Sequence, residues 1–161
     1  MEHAGQATAE TWHVHNEADV YAAISAGRMM GNTMGFEHAD QMRLETIIAE
    51  LARNALRYGG GGTVSLRRVQ NKSSTGTSRS GLEIIVEDGG PGIANLVDVL
   101  ANGRNSKSTG NASSGLGVGL AAVRRLADEF EIESVVGHGT RVRVCKWKRV
   151  EQDAITKTHG N

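Results

Sequence analysis

The chain has 161 residues, 18 basic against 18 acidic side chains, one cysteine and 39% hydrophobic residues. That length predicts one domain able to bury its own core without metal or disulfide help. The even charge, with no dense Lys/Arg run, excludes an overall field drawing the chain to nucleic acid or anionic lipid.

Residues 1–10 are polar and acidic with no apolar run behind them, so neither a signal peptide nor a membrane span is expected, and a cytoplasmic location follows. Thr11 to His15 reads as a short strand. Asn16 can cap a helix from Glu17 to about Met34, with Gly35 as its stop. A second helix begins near Glu37, where Met42, Ile47, Leu51, Ala55 and Tyr58 recur at helical steps and predict one apolar stripe. The opposite stripe holds Thr46, Glu50, Arg53, Asn54 and Arg57.

Gly59 to Gly62 ends that helix, and Thr63 to Val69 alternates as a strand. The polar, Ser/Thr/Gly-rich stretch from Gln70 to Gly81 reads as a mobile connection with nothing to pack. It leads into a strand from Leu82 to Asp88, where Ile84, Ile85 and Val86 predict burial on both faces. After Gly92 comes a short helical stretch, Asn95 to Ala101. Residues 102–114 follow, too polar for a core and placed before a glycine turn, which makes them a candidate lid.

Leu116 to Phe130 predicts a helix with Leu116, Leu120, Val123, Ala127 and Phe130 on one face. Strands Glu131 to Val136 and Thr140 to Lys148, joined by Gly137-His138-Gly139, complete the expected core of about 11–149, and 151–161 reads as a frayed tail. Cys145, in an alternating run, reads as a small apolar core residue. His138, between glycines, reads as exposed turn. The remaining histidines have no metal-ligand spacing with the cysteine, which speaks against zinc.

Four pieces carry chemistry. Glu50 and Asn54 lie one helical turn apart and can face one ligand. An Asn oxygen suits Mg²⁺, and a carboxylate beside it can orient and deprotonate a hydroxyl; taken alone, the pair is better read as a solvated helix face. Asp88 closes a buried strand before Gly89-Gly90-Pro91-Gly92. Such a carboxylate can accept the amine of adenine while Gly90 and Gly92 let backbone approach a flat base; taken alone, this is a tight turn. Gly115, Gly117 and Gly119 open a helix whose free N–H groups and positive end suit polyphosphate. A dinucleotide fingerprint would need glycine at Leu120 and a buried strand before it, and Lys107-Ser108 lacks the frame of a Walker loop. Thr140, after Gly139, can reach an adenine edge directly or through water.

The order of these pieces, from about Ile47 to Thr140, resembles the Bergerat-fold ATPases: gyrase, Hsp90, histidine kinases, the MutL group, and the small bacterial serine kinases and anti-sigma factors. The resemblance implies a two-layer α/β sandwich, a mixed, mostly antiparallel sheet with helices on one face. It implies ATP and Mg²⁺ as ligands, Glu50 as general base, Asn54 as Mg²⁺ ligand and Asp88 as the adenine-reading acid. Gly90 and Gly92 become the base-binding turn, Gly115, Gly117 and Gly119 the phosphate-side glycines, and Thr140 the residue after the last motif.

Within that group, Ala-Glu-Leu-Ala-Arg-Asn, Glu-Asp-Gly-Gly-Pro-Gly-Ile, Gly-Leu-Gly-Val-Gly-Leu, Asp-Glu-Phe and Cys-Lys-Trp-Lys-Arg are similar to the stressosome switch serine/threonine kinases. Such kinases phosphorylate Ser or Thr of small STAS-domain partners and, once released, activate a PP2C-type phosphatase. The alternative within the same resemblance is an anti-sigma factor that sequesters a sigma subunit.

Overall fold

The computed structural model describes residues 8–72, 74, 76–102 and 114–149. Of the candidate lid at 102–114, residues 103–113 lie outside the described residues, as do the tail at 151–161 and the first seven residues. Strand β1 (Glu10–Val14) leads into helix α1 (Glu17–Met34). Asn16 starts that helix as its type predicts: its Oδ1 accepts from Asp19 N–H at 3.1 Å, while the Asp19 carboxylate accepts from Asn16 N–H at 3.2 Å. This reciprocal cap satisfies two donors that the first turn would leave unpaired. Gly35 stops the helix at φ 74°, a left-handed conformation suited to glycine.

Helix α2 (His38–Gly59) is the spine of the helical layer and touches β1, α1 and the later elements of the sheet. Its buried arc is Leu44, Ile47, Ile48, Leu51, Ala52 and Ala55. The predicted stripe is therefore rotated at its ends: Met42 is 57% exposed and Tyr58 37% exposed. A stripe drawn by steps of five at Met42 and Ile47 passes over Leu44 and Ile48, which the 3.6-residue period puts inward. Gly27 of α1 meets Ile48 so closely that a Cβ there would overlap its Cδ1, which sets how near the two helices approach.

Strands β2 (Gly62–Lys72) and β3 (Ser78–Asp88) form a hairpin whose tip is only 73–77. The stretch expected to be a loose connection is thus mostly strand, with Gln70 opposite Ser80, Asn71 opposite Arg79 and Lys72 opposite Ser78. A ladder already in register adds main-chain hydrogen bonds without needing apolar side chains. Tertiary contacts help as well: Trp147 packs on bare Gly81, and the Arg79 guanidinium lies 4.5 Å above the Trp147 ring.

Helix α3 (Leu96–Asn102) and helix α4 (Ser114–Leu126) precede β4 (Glu129–Val135) and β5 (Gly139–Trp147). α4 ends four residues before the predicted Phe130, which instead lies in β4 opposite Val144. Asp128 explains the stop. Its N–H donates to the Cys145 carbonyl at 3.0 Å, and its carboxylate accepts from Trp147 N–H at 2.7 Å and Lys146 Nζ at 3.1 Å. These bonds to β5 outweigh another helical turn.

The sheet order is β1-β2-β3-β5-β4, and each of its pairings is antiparallel, where the resemblance implied a mixed, mostly antiparallel sheet. Helices cover one face, as expected. Val64, Leu66, Leu82, Ile84, Val86, Val142 and Val144 point into that core, and on the opposite face of β3 Gly81 and Glu83 are buried and Ile85 half-buried. On the other face Glu83, 2% exposed, accepts from Arg67 at 2.6 Å and Arg143 at 2.7 Å. Cys145 is fully buried, but it sits on this charged face between its register partners Glu83 and Glu129, outside the main core. Burial pushes its thiol up to about 12, which makes it inert.

Candidate functional site

The residues bracketing the helix-to-strand junctions at one end of the sheet enclose a cavity of about 480 Å³. Asn54 of α2, Asp88 at the end of β3, Gly92 just after it and Thr140 at the start of β5 all line it. Between them lie Leu51, Ala55, Val86, Ile93 and Val142, which give flat apolar walls, with Tyr58, Pro91 and Asn95 also on the lining. A mostly apolar cleft of this size with a few converging polar groups suits a small organic ligand.

Asp88 is held from two sides. The Gly90 N–H donates to its Oδ1 at 2.9 Å, and a Cβ on Gly59 would overlap its side chain. A Cβ on Gly90 would lie 2.6 Å from Gly59 Cα and 3.0 Å from Tyr58 O, so only bare backbone lets the end of α2 press on the Asp88 turn. The carboxylate keeps acceptor capacity beyond the bond from Gly90, its one hydrogen bond among the described residues. Gly92 has φ 71° and packs against the Val135 carbonyl, while the Gly137 N–H donates to Pro91 O at 2.9 Å. The turn is therefore fastened to the β4–β5 hairpin.

Thr140 stands directly across the ladder from Asp88 and, on its other side, from Ser134. Ser134 Oγ is 2.8 Å from Thr140 Oγ1 and accepts from the Ile93 N–H at 2.8 Å. Ser134 and Ile93 were not foreseen as site residues. Ile93 simply follows Gly92, and counting back from the Gly137-His138-Gly139 turn pairs Ser134 with Thr140, but that needs the hairpin register.

Glu50 is at the rim, not on the lining, one turn from Asn54 and next to α4. A Cβ on Gly119 would lie 2.8 Å from Glu50 Oε2 and 3.5 Å from Asn54 Nδ2, so the absence of a side chain at 119 makes the room these groups occupy. Asn54 Nδ2 is buried and has no hydrogen-bond partner among the described residues. An amide end left open in this way is suited to a ligand that completes it, and turning the amide presents Oδ1 to the same place. Presented in that way, the Asn54 amide oxygen is a hard donor, which fits Mg²⁺ carried on a polyphosphate.

Gly115 and Gly117 lie in the first turn of α4, at its N-terminal end. Arg53, expected on the same stripe as Glu50 and Asn54, is paired with α1: its Nε donates to Glu17 Oε1 at 2.7 Å. That hydrogen bond, against the cost of burial, raises the Arg53 pKa and binds α1 to the helix that carries the site. None of the helices among the described residues is long and apolar enough to cross a membrane.

The family model for the histidine kinase-, DNA gyrase B-, and HSP90-like ATPases matches residues 39–150. The chain is similar to the serine/threonine-protein kinase RsbT of Bacillus subtilis (strain 168), 40% identical over 136 residues, which is 84% of this chain and 94% of that protein. It is also similar to the adaptive-response sensory kinase SasA of Synechococcus sp. (strain CC9902), 31% identical over 56% of this chain but only 23% of that protein. Among solved structures, a chain of the SiaB-SiaC complex from Pseudomonas aeruginosa matches with a TM-score of 0.48 and 9% identity, covering 87% of this chain and 89% of that one.

Proposed function

We propose that this chain, which belongs to the histidine kinase-, DNA gyrase B- and HSP90-like ATPase family and is an ATP-dependent serine/threonine kinase, phosphorylates a STAS-domain protein in a bacterial partner-switching pathway. The observation that carries the site assignment is the convergence of Asn54, Asp88 and Thr140 on one cavity with Glu50 at its rim. The acceptor class rests on 40% identity across nearly the whole of a protein named as a serine/threonine kinase, and on the resemblance of the motifs to the stressosome kinases. A PP2C-type phosphatase is the proposed second partner.

In this reading Asp88, acceptor-only when ionised, takes the exocyclic amine of adenine. The apolar walls hold the base, and Asn54 holds Mg²⁺ through its amide oxygen. Mg²⁺, when bound with ATP, neutralises charge that develops on the phosphate oxygens. Glu50 orients the acceptor hydroxyl and takes its proton as the hydroxyl oxygen bonds to the γ-phosphorus and the bond to the β-phosphate oxygen breaks. The free N–H groups of α4 near Gly115 and Gly117 face the phosphate side. Positioning and electrostatics dominate such transfers, so a small set of groups suffices.

The test is incubation with ATP labelled at the γ-phosphate and each STAS-domain protein of the source organism. Label on a serine or threonine of one of them is the expected result. Label on none of them, with active protein, removes the STAS assignment.

A further inference from the structure

The Ser134 hydroxyl is a junction. Ile93 N–H donates to it at 2.8 Å, the Thr140 hydroxyl lies 2.8 Å away, and the Gly139 carbonyl lies 3.3 Å away as an acceptor. A serine hydroxyl has one proton and two lone pairs. The Ile93 bond occupies a lone pair in every arrangement, so the single proton decides the rest. Given to Gly139, it leaves Thr140 to donate to Ser134 and to show only lone pairs to the cavity. Given to Thr140, it turns the Thr140 proton toward the cavity. The Gly139 contact is longer than good O–H···O bonds and the Thr140 contact is within their usual range, so a ligand that offers an acceptor draws the pair into the second polarity at little cost.

Adenine offers such an acceptor. With its amine on Asp88, the ring nitrogen N1 lies beside that amine, on the edge nearest the cross-strand partner of Asp88, which is Thr140. Guanine carries a proton at this nitrogen and a carbonyl in place of the amine, so it meets a donor and a carboxylate with the wrong groups. We infer that Ser134 is a positioning residue for base selection: it donates to Thr140, and so makes Thr140 the donor that reads the ring nitrogen. Through Ile93 the same hydroxyl ties the Gly92–Ile93 wall to β4, which keeps that reading edge in place. The inference rests on the nucleotide reading of the cavity.

Calorimetry with Mg-ATP and with its 1-deaza analogue, in which carbon replaces the ring nitrogen, separates the possibilities. Ser134→Ala is expected to weaken Mg-ATP by about tenfold, the worth of one well-made hydrogen bond. Ser134→Thr, which keeps the hydroxyl, restores most of that loss. The 1-deaza nucleotide is expected to lose far less than Mg-ATP on Ser134→Ala, because the atom being read is gone and only the loss of the Ile93 tie is felt. Equal weakening of both nucleotides by Ser134→Ala, or no weakening of either, overturns the role in base reading. Absence of Mg-ATP binding by the unaltered protein removes the nucleotide assignment, and this inference with it.

Discussion

Asp88 and Thr140 are direct cross-strand partners at the ends of β3 and β5, so the acid and the hydroxyl that face the cavity are fixed relative to each other by the sheet itself. Neighbouring antiparallel strands lie within about 5 Å, a spacing that one edge of a flat base can bridge.

Asp88→Asn is the sharpest probe of this arrangement. The amide keeps one oxygen, which can still accept from Gly90, but it replaces the other with an N–H₂ that opposes the amine of adenine. Loss of a hydrogen bond to a charged acceptor amounts to about 1.5–3 kcal/mol, so Mg-ATP affinity measured by calorimetry is expected to fall roughly ten- to a hundredfold with little change in melting temperature. Undiminished affinity would take Asp88 out of nucleotide recognition.

Glu50→Ala separates chemistry from binding. Glu50 is not on the cavity lining, so nucleotide affinity is expected to stay near that of the unaltered protein. Phosphoryl transfer is expected to slow by about 10²–10⁴-fold, the usual worth of a positioned general base. A Glu50→Ala protein that transfers phosphate at full rate would remove that residue from the mechanism.

Much of this was legible before the fold. The spacing of Glu50 and Asn54 and the turn after Asp88 pointed to two of the elements that border the cavity, α2 and the end of β3, and Asn16 and Gly35 marked the ends of α1 because capping is local. What escaped was set by distant contacts. The length of β2 and β3 depends on Trp147 covering Gly81, and the stop of α4 on Asp128 reaching β5. Arg53, on the same predicted stripe as Glu50 and Asn54, pairs with Glu17, 36 residues earlier in the chain. Ser134 carries no motif of its own, and only the hairpin register puts it beside Thr140. Periodicity reports which face of an element is buried, not which partner lies across from it.

Gly119→Ala sets stability against function. Alanine is the better helix former by about 1 kcal/mol, and the nearest atom its Cβ would meet is Glu50 Oε2 at 2.8 Å, the far end of a flexible side chain that can swing away. The melting temperature is therefore expected to hold or rise. A displaced Glu50 beside a crowded Asn54 loses its geometry, and misplacement by about 1 Å costs on the order of a hundredfold in rate. A thermal melt alongside labelled transfer checks both halves; full transfer activity in a stable variant would show that the room at position 119 is not needed.

Asp40 predicts how the fold responds to acid. It is 1% exposed near the start of α2, with Arg43 at 2.6 Å, Lys146 at 3.6 Å and Arg149 at 3.7 Å. Burial alone would raise its pKa, but the hydrogen bond from Arg43 and the charges of Lys146, Arg149 and Arg43 together hold it below the usual carboxylate range. In the unfolded chain the group returns to about 4. Between those two values the unfolded state binds more protons, so the stabilisation is whole above the unfolded value and is lost as pH falls through the folded one. Glu45, whose carboxyl the Arg28 hydrogen bond holds low, adds a smaller part of the same sign. Asp40→Asn is expected to cost about 3 kcal/mol at neutral pH, the low end for breaking a buried pair, because Lys146 keeps Asp128 at 3.1 Å. Urea titrations from neutrality down through the carboxylate range then test the sign: the unaltered protein should lose stability steeply on acidification and the variant less so. Parallel pH curves would mean that the Asp40 cluster does not govern acid stability.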